Sequence, residues 1–215
     1  MLADHLPVFN IRLRTERLEL RLPDLDDLAA LADRAAEGVH DPSFQPFENA
    51  WTEAEPRERA RTALLWNLRL LAGLDPDRWS LPFVAVHDGR VIGKQDLAAK
   101  QYNLTREATT ASWLGRAHHG RGLGTEMRAA VLALLFDGLD AEWALSDSLD
   151  GNGPSEGVSR KLGYKADGID HQVYKDRRVT SRRWRLTRAD WEAHRTHEVA
   201  VEGLDRDAKA MLGAA

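Results

Sequence analysis

Apolar and polar positions alternate in part from Ile11 to Leu22, through Ile11, Leu13, Leu18, Leu20 and Leu22, which predicts an opening strand. Asp24 with Asp27 three residues on predicts a helix start. Leu25, Leu28, Leu31 and Ala32 form its apolar stripe and Gly38 its stop. A loop rich in proline and aromatic residues follows from His40 to Trp51. Thr52 and Glu55 then form a capping-box pattern before a second helix carrying Leu64, Leu65, Leu68 and Leu71. Strands are expected over 79–87 and 90–100 around the hairpin pair Asp88-Gly89, and over 105–114. Leu123, Met127, Val131, Leu134 and Leu135 recur at helical spacing. A short strand (143–148), a short helix (155–162) and two further strands (164–174 and 179–186) complete the pattern, with Thr187 capping a last short helix.

This order of an antiparallel meander followed by a strand–helix–strand crossover predicts an α/β (α+β) fold. It has a mixed, mostly antiparallel twisted sheet of about seven strands flanked by helices. Residues 1–197 read as one domain and 198–215 as a tail, free to pack on a partner subunit. With 215 residues the chain can bury a full core. Thirty Lys and Arg against thirty-four Asp and Glu leave a net charge of −4 with no basic block, so nucleic acid is not expected as a partner. No apolar run is long enough for a bilayer and the first residues lack a signal-peptide pattern, so a cytoplasmic location is expected. The absence of cysteine removes thiolate nucleophiles and thiolate metal sites. The pairs His118-His119 and His194/His197 have no carboxylate at ligand spacing, so no metal is expected.

The stretch His118-His119-Gly120-Arg121-Gly122-Leu123-Gly124-Thr125-Glu126-Met127 carries the clearest chemistry. Glycines let the backbone turn tightly and approach a ligand, and the first N–H groups of a helix lack internal partners and sit at the positive end of its dipole. Such a place binds phosphate. A P-loop would need Lys after the last glycine, and Thr125 stands there. A dinucleotide fingerprint would need a third glycine where Thr125 lies and a place near the first strand.

Two motifs in order resemble the GNAT superfamily of acyl-CoA-dependent N-acyltransferases. His119-Gly120-Arg121-Gly122-Leu123-Gly124 is similar to the family's Arg/Gln-x-x-Gly-x-Gly/Ala, with His119 in place of the usual Arg or Gln. Asn152, Ser155 and Lys161-Leu162-Gly163-Tyr164 follow as its Asn-x-x-Ser and Lys-x-Gly-aromatic. Thr15-Glu16-Arg17-Leu18, Ser112-Trp113-Leu114 and Gly124-Thr125-Glu126 resemble the RimJ/RimL-like branch. Glu37 to Pro42 and Trp79 to Pro82 resemble an actinobacterial subgroup in which some members look like succinyl-CoA users. The resemblance covers residues 11–194 and implies the GNAT fold, splayed at its central strands. The co-substrate it implies is acyl-CoA (acetyl or succinyl), and the acceptor is a protein N-terminus, a lysine or a small amine. Members of this branch often dimerise, which makes a homodimer the expectation.

Residue by residue, the resemblance assigns acyl-CoA binding to Trp113, Leu114, His119, Gly120, Arg121, Gly122, Leu123, Gly124, Thr125, Asn152, Ser155 and Lys161. The thiolate's acid is Ser155, because the tyrosine that many relatives carry seven residues after the Asn is Ser159 here. The glutamate base of several relatives falls on Thr109, which leaves Asp96 and Asp147 as candidate bases. Phe44, Phe47 and Glu48 are the candidate acceptor contacts. A succinyl carboxylate would want a cation, with Lys94 and Lys100 the candidates. Two other readings stay open. Gly153-Pro154-Ser155-Glu156-Gly157 fits a nucleophile elbow, with Asp167 or Asp170 and His171 after it, as in a serine hydrolase. The missing Glu and Tyr also fit a protein that binds acyl-CoA without turnover.

Overall fold

The computed structural model describes residues 2–214. One nine-stranded sheet runs through the molecule. Its first strand pair, β1 (Arg12–Arg14) and β2 (Glu19–Arg21), comes from the segment expected to be one strand. Thr15 makes the break: its N–H donates to Leu18 O, and its hydroxyl receives the Leu18 N–H at 3.0 Å. Helix α1 (Leu25–Glu37) starts as expected, with the Asp24 carboxylate accepting from Asp27 N. Helix α2 (Pro56–Ala72) begins later than the Thr52/Glu55 pattern predicted. Thr52 is instead buried in the preceding loop, where His40 and Gln45 bond its hydroxyl, so its cap chemistry goes to tertiary contacts. The side of α2 that is buried holds Ala63 and Asn67, whereas Leu65 of the expected stripe is 41% exposed.

Strands β3 (Arg78–His87) and β4 (Arg90–Lys100) form the hairpin signalled by Asp88-Gly89, whose φ values of 50° and 71° suit a tight turn of that type. A short helix, α3 (Tyr102–Thr105), takes the start of the next expected strand, so β5 is Glu107–Leu114. Helix α4 (Leu123–Ala133) follows and ends in a π turn over 134–138. Leu123, Met127, Val131 and Leu134 on it are at most 1% exposed, and each contributes about 1.5–3 kcal/mol of apolar burial. After it come β6 (Trp143–Leu149), α5 (Gly153–Lys161), β7 (Lys165–Tyr174), β8 (Arg177–Thr187) and α6 (Arg188–Ala193).

Residues 198–214, expected as a tail outside the domain, are built into it on the same chain. Strand β9 (Ala200–Glu202) pairs with β1, and α7 (Arg206–Met211) buries Ala208. The fully buried Leu212 after it accepts a hydrogen bond from Trp79 Nε1 at 2.9 Å. Splitting the first strand and adding β9 raises the expected seven strands to nine. No helix of the described residues is long and apolar enough to cross a membrane.

The strand order is β7-β8-β6-β5-β4-β3-β2-β1-β9, and every neighbouring pair is antiparallel except β5 with β6. Those two central strands pair only over 107–109 with 143–145. Thr110 Oγ1 reaches Leu145 O at 3.2 Å, and beyond this link the strands separate into a fork. The alternation along each strand assigns side chains to two faces. Lys94 bonds Asn67 of α2, so Lys94, Asp96, Trp113, Leu145 and Asp147 share the face covered by α1 and α2. Ala108, Leu114 and Ala144 join the main core under α4.

Candidate functional site

The glycine loop lies between the end of β5 and α4. Gly115 N donates to Ile92 O at 2.8 Å, and a 3₁₀ turn over Arg116–His118 leads into the glycines. Gly120 and Gly122 have φ of +74° and +78°, left-handed conformations that favour glycine. Gly122 caps α4. From Gly120 to Gly124 five consecutive backbone N–H groups have no acceptor among the described residues. A Cβ on Gly120 would meet nothing within 4 Å, so the protein itself does not fill this cradle. The arrangement suits a pyrophosphate.

Glu126, 1% exposed in the first turn of α4, fixes the cradle from behind. It accepts from Thr15 Oγ1 (2.7 Å), Arg17 N (3.1 Å) and Arg17 Nε (2.7 Å), while Arg17 also donates to Arg121 O at 3.1 Å. Burial favours the neutral acid, but the Thr15 and Arg17 contacts outweigh it and hold the carboxyl below its ordinary range. Thr15-Glu16-Arg17 and Gly124-Thr125-Glu126, far apart in sequence, are thus two halves of one anchor. His119, expected to face phosphate, instead has its ring Nε2 bonded to Leu114 O at 3.0 Å, tying the loop to the strand end. The Leu123 side chain is in the core, so only its backbone faces the cradle. The Arg121 guanidinium reaches the His87 ring at 3.4 Å and makes no ion pair among the described residues, and Lys161 is exposed at the end of α5.

On the α1/α2 face, the loop over 38–55 crosses toward β7 and β8. Glu53 receives hydrogen bonds from Tyr174 and Lys175 at the tip of that hairpin, and these hold its carboxyl down at about 2. Asn152 Nδ2 reaches Pro46 O at 3.5 Å. Phe47 packs in a series of tilted rings from His40 through Trp51 to Trp113, with ring centroids 5.4–5.8 Å apart, and Phe44 is half-buried nearby. An open pocket of about 490 Å³ is lined by β5, β6, β7 and β8 residues that include Thr109, Leu145, Asp147, Ser181 and Arg183.

The loop carries Glu48 to Asp147. Both side chains keep an exposed edge; partial burial of the Glu48 carboxyl first, and then the adjoining Asp147 carboxyl, push the Glu48 pKa up. Neither carboxylate has a basic partner among the described residues, whereas the neighbouring Asp167 and Asp170 are bonded by Arg185 and Arg183. Asp96 is placed differently. Its half-buried side chain lies against the buried Lys94, with Nζ at 2.8 Å, and Lys94 also bonds Asn67 Oδ1 at 2.7 Å. Burial pushes Asp96 up and Lys94 works against it.

Helix α5 starts at Asn152, whose side chain accepts from Ser155 N at 3.2 Å. Ser155 is therefore half-buried in a first helical turn, six residues beyond the end of β6, and is not on a sharp turn directly after a strand. His171 is exposed on β7 with no hydrogen bond to Ser155 among the described residues, so the hydrolase constellation is not assembled. One residue the sequence reading passed over stands out: Arg128 on α4 is 4% exposed and donates to Ser159 Oγ at 2.9 Å. Its signal was a cation set between Met127 and the apolar run from Ala129 to Ala133.

The chain matches the family model described as acetyltransferase (GNAT) domain over residues 17–165. Among solved structures it is similar to Mycobacterium smegmatis RimJ in complex with CoA-disulfide, at 18% identity and a TM-score of 0.68, covering 86% of this chain and 90% of that one. A GCN5-related N-acetyltransferase from Brucella melitensis gives 19% identity and a TM-score of 0.67 over 86% and 81%. The ribosomal-protein alpha-N-acetyltransferase RimL in complex with coenzyme A gives 14% and 0.64 over 80% and 95%. At these identities the structures attest the fold, and the family match, spanning most of the chain, attests membership: this protein belongs to the GNAT acetyltransferase family.

Proposed function

We propose that the protein is an acyl-CoA-dependent N-acyltransferase of the RimJ/RimL type, moving an acetyl group to a primary amine by direct attack. The observation that carries this is the fork between β5 and β6. It has the uncapped N–H groups of Gly120 to Gly124 at the end of one strand and the Glu48–Asp147 carboxylates beside the other. In this reading the loop amides bind the pyrophosphate, with Arg121 and Lys161 as nearby cations, and the strand end at Trp113 and Leu114 receives the pantetheine arm. Asp147 with Glu48 takes the proton from the incoming amine. A carboxyl held above its ordinary range is a better base near neutral pH, and such a base contributes roughly 10²–10⁴-fold. Ser155, at the first turn of α5, donates to the departing sulfur.

Lys94, the cation considered for a succinyl carboxylate, is committed to Asp96 and Asn67, which favours acetyl over succinyl. The similar RimJ and RimL structures make a protein N-terminus the acceptor to try first. The same reading places the protein in the cytoplasm as a homodimer, which sedimentation would check. The test is thiol release from acetyl-CoA and succinyl-CoA with a panel of peptide N-termini, lysine peptides and small amines. Asp147→Asn and Glu48→Gln should each lower kcat/KM at pH 7 by about 10²-fold while acyl-CoA affinity holds. Absence of thiol release with every amine, or a fluorophosphonate adduct on Ser155, would refute the proposal.

A further inference from the structure

Arg128 is buried without a matching anion. One guanidinium nitrogen bonds Ser159 Oγ at 2.9 Å, Nε has no partner, and the side chain makes no ion pair among the described residues. A buried cation in this state is costly unless something else completes it. Its surroundings locate it. Ser159 lies one helical turn after Ser155, on the same face of α5. Tyr164 OH, also buried, is 3.4 Å from Thr110 Oγ1, and Thr110 makes the last link before β5 and β6 part. Ser146 Oγ, on the same face of β6, is likewise buried without a partner. Arg128 therefore sits behind the crotch of the fork, on the α4 face, with the Asp147 carboxylate on the opposite face. The charged and titratable groups that act on it are Tyr164 and Asp147, and burial pulls its own pKa down.

We infer that Arg128 is the electrostatic partner of the sulfur that leaves when the acyl group is transferred, an inference that rests on the acyl-CoA reading above. As the amine nitrogen bonds the thioester carbon, the C–S bond breaks and its electron pair stays on sulfur. The amine proton passes to the Glu48–Asp147 pair. The thiolate faces the guanidinium, with the Ser155 hydroxyl donating a hydrogen bond to it, until solvent returns a proton. A fixed cation in a dry site stabilises charge as it develops without reorganising. Here it does so where Ser159 replaces a bulkier acid.

The experiment follows the thiol of bound coenzyme A by thiolate ultraviolet absorbance from about pH 6 to about pH 10, which needs no acceptor. In the wild-type complex the thiol should ionise about one pH unit or more below free coenzyme A. Arg128→Met should abolish that shift and Arg128→Lys restore part of it. In turnover, Arg128→Met should lower kcat about 10–100-fold at unchanged KM for acyl-CoA. A wild-type complex whose thiol titrates like free coenzyme A overturns the inference even if the variants fail to fold. So does a folded Arg128→Met protein with an unmoved thiol, or one that loses only succinyl-CoA turnover, which would make Arg128 an acyl-carboxylate ligand. Failure of the wild type to bind coenzyme A at all would instead sink the acyl-CoA reading, and this inference with it.

Discussion

Lys94→Met should destabilise the protein by an amount set by pH. Lys94 is 2% exposed, with Nζ 2.8 Å from Asp96 Oδ1 and 2.7 Å from Asn67 Oδ1. Removing it strands a carboxylate whose pKa burial already raises, and removes the cation that opposes that rise. Breaking a buried pair in this way costs about 3–5 kcal/mol. The carboxyl has an escape, because it can take a proton. Neutralising an ordinary aspartate at pH 7 costs about 1.4 kcal/mol for each of roughly three pH units, a ceiling of about 4 kcal/mol. At pH 5 the same step costs only about 1.5 kcal/mol. The lost bond to Asn67 adds about 1 kcal/mol at either pH. The sign follows from linkage. A carboxyl with a raised folded pKa keeps its stability below the unfolded pKa and loses it as pH rises through the folded one. Lys94→Met moves that folded value further up, so the deficit grows from pH 5 to pH 7. Urea melts followed by tryptophan fluorescence read it directly. The double variant Lys94→Met/Asp96→Leu, with neither charge, should recover to within about 1 kcal/mol of wild type. A deficit below about 1 kcal/mol at pH 7, or one equal at both pH values, would show that the pair is hydrated and that the reasoning fails.

Two further outcomes follow from the same geometry. Gly93→Ala should cost about 3 kcal/mol or prevent folding, because its Cβ would run into the Trp113 carbonyl where β4 passes β5; a thermal melt within a few degrees of wild type would contradict this. Glu126→Gln should weaken the hold of Thr15 and Arg17 on the glycine loop and raise KM for acyl-CoA several-fold, leaving acceptor KM unchanged in steady-state kinetics. In the wild type the depressed Glu126 pKa gives a contribution present above pH of about 4.5 and lost as pH falls through the lower folded value. Acid melts of the Gln variant should therefore lack that part of the wild-type slope.

Local signals located most of the elements because their chemistry is local. Asp24, Asn152 and Thr187 cap helices with their own side chains, and Asp88-Gly89 turns a hairpin by its own backbone preference. The failures lie where a distant partner decides. Thr52 looks like a cap and is claimed by His40 and Gln45, while β9 is three residues long and exists through its pairing with β1. Asn67 was unremarkable beside the leucines of its helix until Lys94 met it across the fold. The cradle was legible as three glycines before a helix, but its anchor was not, because Thr15 and Glu126 are 111 residues apart. Asp147 and Glu48 were each identified alone; that they share one site depends on the path of a loop, which no spacing encodes.

Strand alternation then divides the proposed chemistry between two sides of the sheet. Odd-numbered positions of β5 and β6, including Trp113, Leu145 and Asp147, face α1, α2 and the loop that carries Glu48. Even-numbered positions, Thr110, Leu114 and Ser146, face α4, Arg128 and α5. A shift of one residue in the short β5–β6 ladder would exchange these sets and put the carboxylate beside the guanidinium. The link from Thr110 Oγ1 to Leu145 O fixes that register where the ladder ends. Acyl transfer uses a proton acceptor near the amine and a stabilising charge near the sulfur, which are two different substituents of the tetrahedral carbon. In the proposed reading, a fork whose edges differ by one strand position supplies that separation from backbone geometry: Asp147 acts on Arg128 through space, and the two make no ion pair among the described residues.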